Sequence, residues 1–198
     1  MAVYASSSIK QADQPAKTEH SVQLTYESMN LEGVLNYELY RDAYLAFQQT
    51  EGRKKPLLTI IDYSRPSTEK RFFVIDMEKN ELLYNTFVSH GVNSGQKTAT
   101  KFSNIVNSRQ TSLGTFLTDD TYYGSNGYSL RLDGLTQGQN DKARERYIVV
   151  HGAPYASKSF MEKNGYLGRS WGCPALPPEL SREIIDTIKD GSVIYASA

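Results

Sequence analysis

His151–Ala175, HGAPYASKSFMEKNGYLGRSWGCPA, is the stretch whose reading decides the fold. It is entered through YIVVHG, an almost wholly apolar run that reads as a buried strand and delivers His151 to the strand's C-terminal end. It closes on Ser170-Trp171-Gly172-Cys173-Pro174, a turn that holds the only cysteine of the chain. A thiol is a modest nucleophile until it loses its proton. An imidazole titrates near working pH, so it can take that proton and later return it. Backbone N–H groups of a tight turn can face a developing oxyanion, and a glycine lets the backbone come close. Pro174 has no N–H and a fixed φ, which stiffens the turn. The same residues also fit a quieter role, because a single cysteine is often a small buried hydrophobe and a histidine often only satisfies a structural hydrogen bond. Here the cysteine sits between Gly and Pro rather than in a periodic apolar stripe, and loop positions of this kind are where active sites gather.

Working outward toward the C-terminus, PPELSREIIDTIKDGSVIYAS reads as a helix from Pro178 with an inner stripe of Ile184, Ile185 and Ile188. Gly191 stops it, and SVIYAS makes a last strand. Toward the N-terminus, YSLRLDGL and TSLGTFLT are strand-like, and KRFFVIDMEKNELLYNTFVSHG reads as two strands around Glu78-Lys79-Asn80. PLLTIIDYS is a further strand. Leu31, Val34, Leu35, Leu39, Ala43, Ala46 and Phe47 recur at helical steps, which predicts an amphipathic helix ending near Gly52. Three segments follow: a loose polar leader at 1–22, an N-terminal helical segment at 23–56, and a main domain at 57–198. Many short strands with a helix in front and one behind indicate a β-rich α+β domain rather than a doubly wound sheet.

Composition narrows the function. The 198 residues suit one domain, and Lys+Arg and Asp+Glu both number 22, so no global field selects nucleic acid or an anionic membrane. A single cysteine excludes an internal disulfide, a redox pair and a thiolate zinc site. No spacing matches a metal site, a P-loop or a dinucleotide fingerprint, so neither cofactor nor metal is expected. No run approaches the roughly 18 apolar residues of a membrane span, and no signal peptide is visible in MAVYASSSIKQADQPAKTEH.

YIVVHGAPY with GYLGRSWGCPA resembles the catalytic signature of the L,D-transpeptidases, the YkuD-like peptidoglycan cross-linking enzymes. That signature is a histidine followed by Ser/Thr-His-Gly-Cys. FVSHGVNSG, TSLGTFLT and the closing helix with GSVIYAS are similar to other family segments, so the resemblance covers about residues 57–197. It is nearest to the murein L,D-transpeptidase catalytic domain branch, where Gly-Cys-Pro-Ala is typical. Trp171 stands in place of the second histidine, Ala175 stands where Asn or Arg is frequent, and the segment between His151 and Ser170 is longer.

The resemblance implies a β-sandwich with an N-terminal and a C-terminal helix. It implies Cys173 as nucleophile, His151 as proton acceptor oriented by a backbone carbonyl, and an oxyanion hole from the N–H groups of Trp171, Gly172 and Cys173. The substrates implied are peptidoglycan stem tetrapeptides outside the cytoplasmic membrane, in the periplasm or cell envelope, with acylation by carbapenems. Candidate substrate contacts are Ser170, Arg169, His90, Tyr155 and Arg131. His90 could line the cleft or simply end a strand, Tyr155 could be packing, and Arg131 and Arg169 could be solvated faces. The TYYGSNGYS run could be a flap or a plain turn. Transfer to an amine, transfer to water (an L,D-carboxypeptidase) and a non-catalytic peptidoglycan-binding module stay open at this level.

Overall fold

The computed structural model describes residues 14–198. Its strands are β1 (Leu57–Asp62), β2 (Phe72–Asp76), β3 (Glu81–Thr86), β4 (Gly114–Gly124), β5 (Gly127–Gly134), β6 (Val149–Gly152), β7 (Ala175–Leu176) and β8 (Val193–Ser197). Its helices are α1 (Gln14–Ser28), α2 (Tyr37–Gln49), α3 (Lys158–Asn164) and α4 (Pro178–Ile188). The strands of the expected sandwich are joined edge to edge in one hydrogen-bonded sheet, ordered β3-β2-β1-β8-β4-β5-β6-β7. β1 with β8 and β6 with β7 are parallel, and the other neighbours are antiparallel.

The period of two along β1, β2 and β8 sorts their side chains onto two faces. Ile61, Phe72, Val74, Ile194 and Ala196 point into a core completed by Ile184, Ile185 and Ile188 of α4. Leu58, Ile60, Phe73, Ile75 and Val193 point the other way, against Val22, Tyr26, Tyr40, Ala43 and Phe47 of α1 and α2. Covered on both sides, β1 is buried at all six positions, which is why LLTIID reads as a continuous apolar run rather than an alternation.

The N-terminal helices differ from the sequence expectation in two ways. Residues 14–22, expected within a loose leader, belong to α1, while residues 1–13 of that leader lie outside the described residues. The helix expected from Leu31 starts only at Tyr37, because the Asn36 side chain accepts the Leu39 N–H at 2.9 Å and caps it there. Leu31 and Leu35 are still buried in the same core, but from the turns between α1 and α2.

Beneath the site, Arg71 is wholly buried. Its guanidinium donates to the Val88 carbonyl at 3.0 and 2.8 Å, to the Arg65 carbonyl at 2.8 Å and to His90 Nδ1 at 2.8 Å. Arginine only donates, so Nδ1 accepts, and Nε2–H donates to the Gly95 carbonyl at 3.2 Å. Burial first, and then the Arg71 charge, push His90 down to about 4. The folded protein therefore refuses a proton that the unfolded chain accepts near 6.5. Stability is complete where both states are neutral and falls as pH drops from 6.5 toward about 4. Denaturant titrations at pH 7 and pH 5 are expected to show that loss. His90→Asn, which keeps an acceptor for Arg71 but no titrating ring, is expected to be less stable at pH 7 by about 1–3 kcal/mol and to lose less over the same interval.

Candidate active site

β6 and β7 run parallel with His151 opposite Ala175, so the turn that precedes β7 is brought beside the end of β6. From the other side, Ser89 pairs with Ala175 and Gly91 with Ser170. Gly91 is needed for that approach, since a Cβ there would lie 2.5 Å from the Arg109 carbonyl oxygen. The Ser-Trp-Gly-Cys turn is thus held between residues 89–92 and the end of β6.

Within the turn, Ser170 Oγ donates to the Cys173 carbonyl at 2.6 Å and accepts the Gly172 N–H at 3.1 Å. Gly172 has φ 121°, and a Cβ there would lie 2.8 Å from the Gln110 carbonyl oxygen. Only glycine meets both conditions. The Gly172 N–H, expected in an oxyanion hole, is spent on Ser170, while those of Trp171 and Cys173 donate to no group among the described residues. The Ser170 hydroxyl, a candidate substrate contact, braces the turn, and Ser170 also lines the cavity shared by His151 and Cys173.

His151 and Cys173 line one cavity of about 910 Å³. Both are nearly buried, at 3% and 7% exposure. His151 Nδ1–H donates to the Gly152 carbonyl oxygen at 3.0 Å, which leaves Nε2 as the ring's acceptor. Burial holds this imidazole below its ordinary value, with the Gly152 hydrogen bond opposing. Burial likewise pushes the Cys173 thiol up, opposed by the Val149 backbone N–H and the Arg146 charge. The resting pair at neutral pH is therefore a thiol and a neutral imidazole. The thiol donates to the Tyr147 carbonyl at 3.5 Å.

That carbonyl is set by the close of the run of turns that leads into β6. The N–H of Ile148 bonds the Ala143 carbonyl at 2.9 Å and that of Tyr147 bonds the Arg144 carbonyl at 3.1 Å, a Schellman arrangement. Its left-handed position, usually glycine, is Tyr147 at φ 54°, with its side chain 81% exposed. Such a conformation costs a non-glycine residue about 1–2 kcal/mol. Asn107 at φ 63° and Arg109 at φ 55° line the same cavity, so left-handed non-glycine backbone gathers around it.

Of the other candidates, Tyr155, Arg169 and Trp171 also line the cavity. Burial, with the nearby Cys173, pushes Tyr155 up to about 12. Arg169 Nη1 donates to the Gly95 carbonyl at 3.3 Å. His90 lies outside the cavity, locked between Arg71 and Gly95, and reaches the site only through its carbonyl, which accepts the Ser170 N–H at 3.0 Å. Arg131 lies outside it too: it pairs with Asp120 at 2.6 Å, stacks 4.2 Å from the Tyr122 ring, and lines a neighbouring groove of about 710 Å³. The tip of the β4–β5 hairpin, Ser125 and Asn126, borders the cavity, as a flap there would.

The sequence reading missed Arg109, Arg146 and Tyr147. Arg146 lies against the Gly172 turn, donating to the Ser103 carbonyl at 2.5 Å, the Gln110 carbonyl at 2.6 Å and the Ser108 and Ser112 hydroxyls. The one sequence signal is Arg109, an arginine in a polar Asn-Ser-Arg-Gln-Thr-Ser stretch without an acidic neighbour; Arg146 and Tyr147 carry none.

A thiol and an imidazole on one cavity, with free turn N–H groups beside them, is an arrangement suited to acyl transfer through a cysteine. The chain belongs to the L,D-transpeptidase catalytic domain family, whose profile matches residues 31–197 and so takes in α2 as well as the sheet. Among solved structures it is similar to an L,D-transpeptidase from Mycobacterium smegmatis, with 21% identity over 72% of this chain and 59% of that one and a TM-score of 0.44. It is also similar to an L,D-transpeptidase from Stackebrandtia nassauensis, with 13% identity over 90% of this chain and 76% of that one and a TM-score of 0.43. A third is the helical cell shape determining protein Pgp2 from Campylobacter jejuni, with 13% identity over 71% of this chain and 47% of that one and a TM-score of 0.46. This chain thus spans 59% of the mycobacterial protein's length. No curated protein matches it. No described helix is long and apolar enough to cross a membrane.

Gly172→Ala is expected to displace the turn and change the rate at which a small electrophile alkylates Cys173, with the remaining fold intact by circular dichroism. Labelling at the parent rate would show that the turn tolerates a Cβ.

Proposed function

We propose that this protein is a cysteine L,D-transpeptidase that acts on peptidoglycan stem tetrapeptides in the periplasm or cell envelope. The observation that carries the reading is that His151, its Nδ1 committed to Gly152, shares one cavity with the chain's single thiol. Family membership supplies the substrate class.

His151 Nε2 takes the Sγ proton of Cys173 as the sulfur attacks the amide carbonyl of the third stem residue. The N–H groups of Trp171 and Cys173 receive the oxyanion. His151 returns the proton to the leaving amine of the terminal D-alanine, and a thioester remains. An amine of a neighbouring stem then attacks the thioester, His151 takes its proton, and Cys173 leaves as the thiol. Because thiol and imidazole both rest neutral, no charge is buried until substrate closes the site, which limits the desolvation cost. Water in place of the acceptor amine would make the protein an L,D-carboxypeptidase. Tetrapeptide incubation followed by mass spectrometry separates the two, giving cross-linked dimer or tripeptide alone.

Cys173→Ala is expected to abolish product, and His151→Ala to slow it by roughly 10²–10⁴. His90→Ala is expected to cost less; an equal loss there would move the base. The base must be neutral to work and its folded pKa is lowered, so kcat/KM is expected to hold as pH falls to 6.5 and to decline only below it. Incubation with a carbapenem is expected to add the mass of one intact drug molecule, mapped by peptide digestion to Cys173. An unchanged mass would count against the cysteine nucleophile.

A further inference from the structure

Trp171 stands where the family signature has a histidine, and its ring is 70% exposed although it is two residues from the thiol. It is not idle. The Arg109 guanidinium lies 4.2 Å from the centroid of the indole ring, and both residues line the cavity of Cys173.

The backbone that carries Arg109 is fixed from several directions. Arg109 is left-handed at φ 55°, its carbonyl accepts the Asn93 N–H at 3.2 Å, and the Asn93 side chain donates to the Ser108 carbonyl at 2.9 Å. Stacking on an aromatic face holds a guanidinium by its plane and leaves its in-plane N–H fork free for a carboxylate. No hydrogen bond or ion pair occupies that fork among the described residues. Of the arginines that line the cavity, Arg146 has its donors taken by protein acceptors and Arg169 gives one to Gly95. Glu145 is the one acidic residue among the described lining. Among the described residues the cavity thus offers a cation without an acidic partner beside the Ser-Trp-Gly-Cys turn.

The chemistry of a substrate that loses its last residue supplies the match. Such a substrate carries its terminal carboxylate one residue past the scissile carbonyl, about 3.6 Å of extended chain. We propose that Arg109, stacked on Trp171, is the receptor for the free α-carboxylate of the C-terminal residue that the reaction releases. This rests on the transpeptidase reading for the identity of the peptide, but the contact is one of binding and can be measured without turnover.

The test uses the Cys173→Ala protein and a stem tetrapeptide in two forms, with a C-terminal carboxylate and with a C-terminal carboxamide, titrated by calorimetry. One charge-assisted bidentate contact predicts about tenfold tighter binding of the carboxylate form. Adding Arg109→Gln is expected to bring the carboxylate form down to the carboxamide level and leave the carboxamide unchanged. Arg109 is exposed, and an unaltered melting temperature is expected to show that the variant is folded. Equal binding of the two forms, no binding of the carboxylate form, or a preference that survives Arg109→Gln would overturn the proposal. Turnover by the intact protein is scored separately. If it yields neither dimer nor tripeptide while the Arg109-dependent preference persists, the transpeptidase reading fails and the carboxylate receptor stands.

Discussion

A two-residue parallel ladder holds the site together. His151 opposite Ala175 sets the end of β6 against the start of β7, and this places the Ser-Trp-Gly-Cys turn beside the imidazole. Two residues of ladder are weak alone. The pairing is secured from behind by Ser89 and Gly91, and these are secured by Arg71, whose bonds to Val88 and His90 tie that segment into the core. A buried guanidinium without a carboxylate is costly, and carbonyl oxygens on Val88 and Arg65 offset that cost only while the chain keeps this path. The buried network therefore specifies one arrangement of the loop under the turn more than it adds stability.

Burial does two opposed jobs above that support. It keeps His151 and Cys173 neutral at rest, and it makes every aimed donor nearby count for more when charge appears. Arg146 is the nearest example, since its guanidinium lies against the turn and its charge opposes the upward push on the thiol. Left-handed backbone at Asn107, Arg109 and Tyr147 rings the same cavity, a conformational cost concentrated where side chains and carbonyls must be aimed.

The N-terminal helices belong to the same design at a distance. α1 and α2 cover the face of β1, β2 and β8 opposite α4, and the strands between them are buried on both sides. Those three strands are thereby packed on both faces, and among the described residues neither N-terminal helix lines the cavity beside Cys173.

What the sequence determined by itself was local. The strand that ends at His151, the Gly- and Pro-bounded thiol, the helix from Pro178 and the two-strand reading around Lys79 each follow from spacing and turn chemistry over a few residues. Only the tertiary structure decided the rest. His90 and His151 each stand directly before a glycine, and nothing local separates them; one meets Arg71 in the core and the other faces the cavity. Ser170 and Gly172 look available in the sequence, yet they bond to each other across the turn. Arg109 and Arg146 carry no motif, and gain meaning only because residues 62 and 27 positions away in the chain, Trp171 and Cys173, fold against them. A side chain's chemistry is written in its own residue, but its partners are fixed by long-range strand pairing, and no local pattern encodes that.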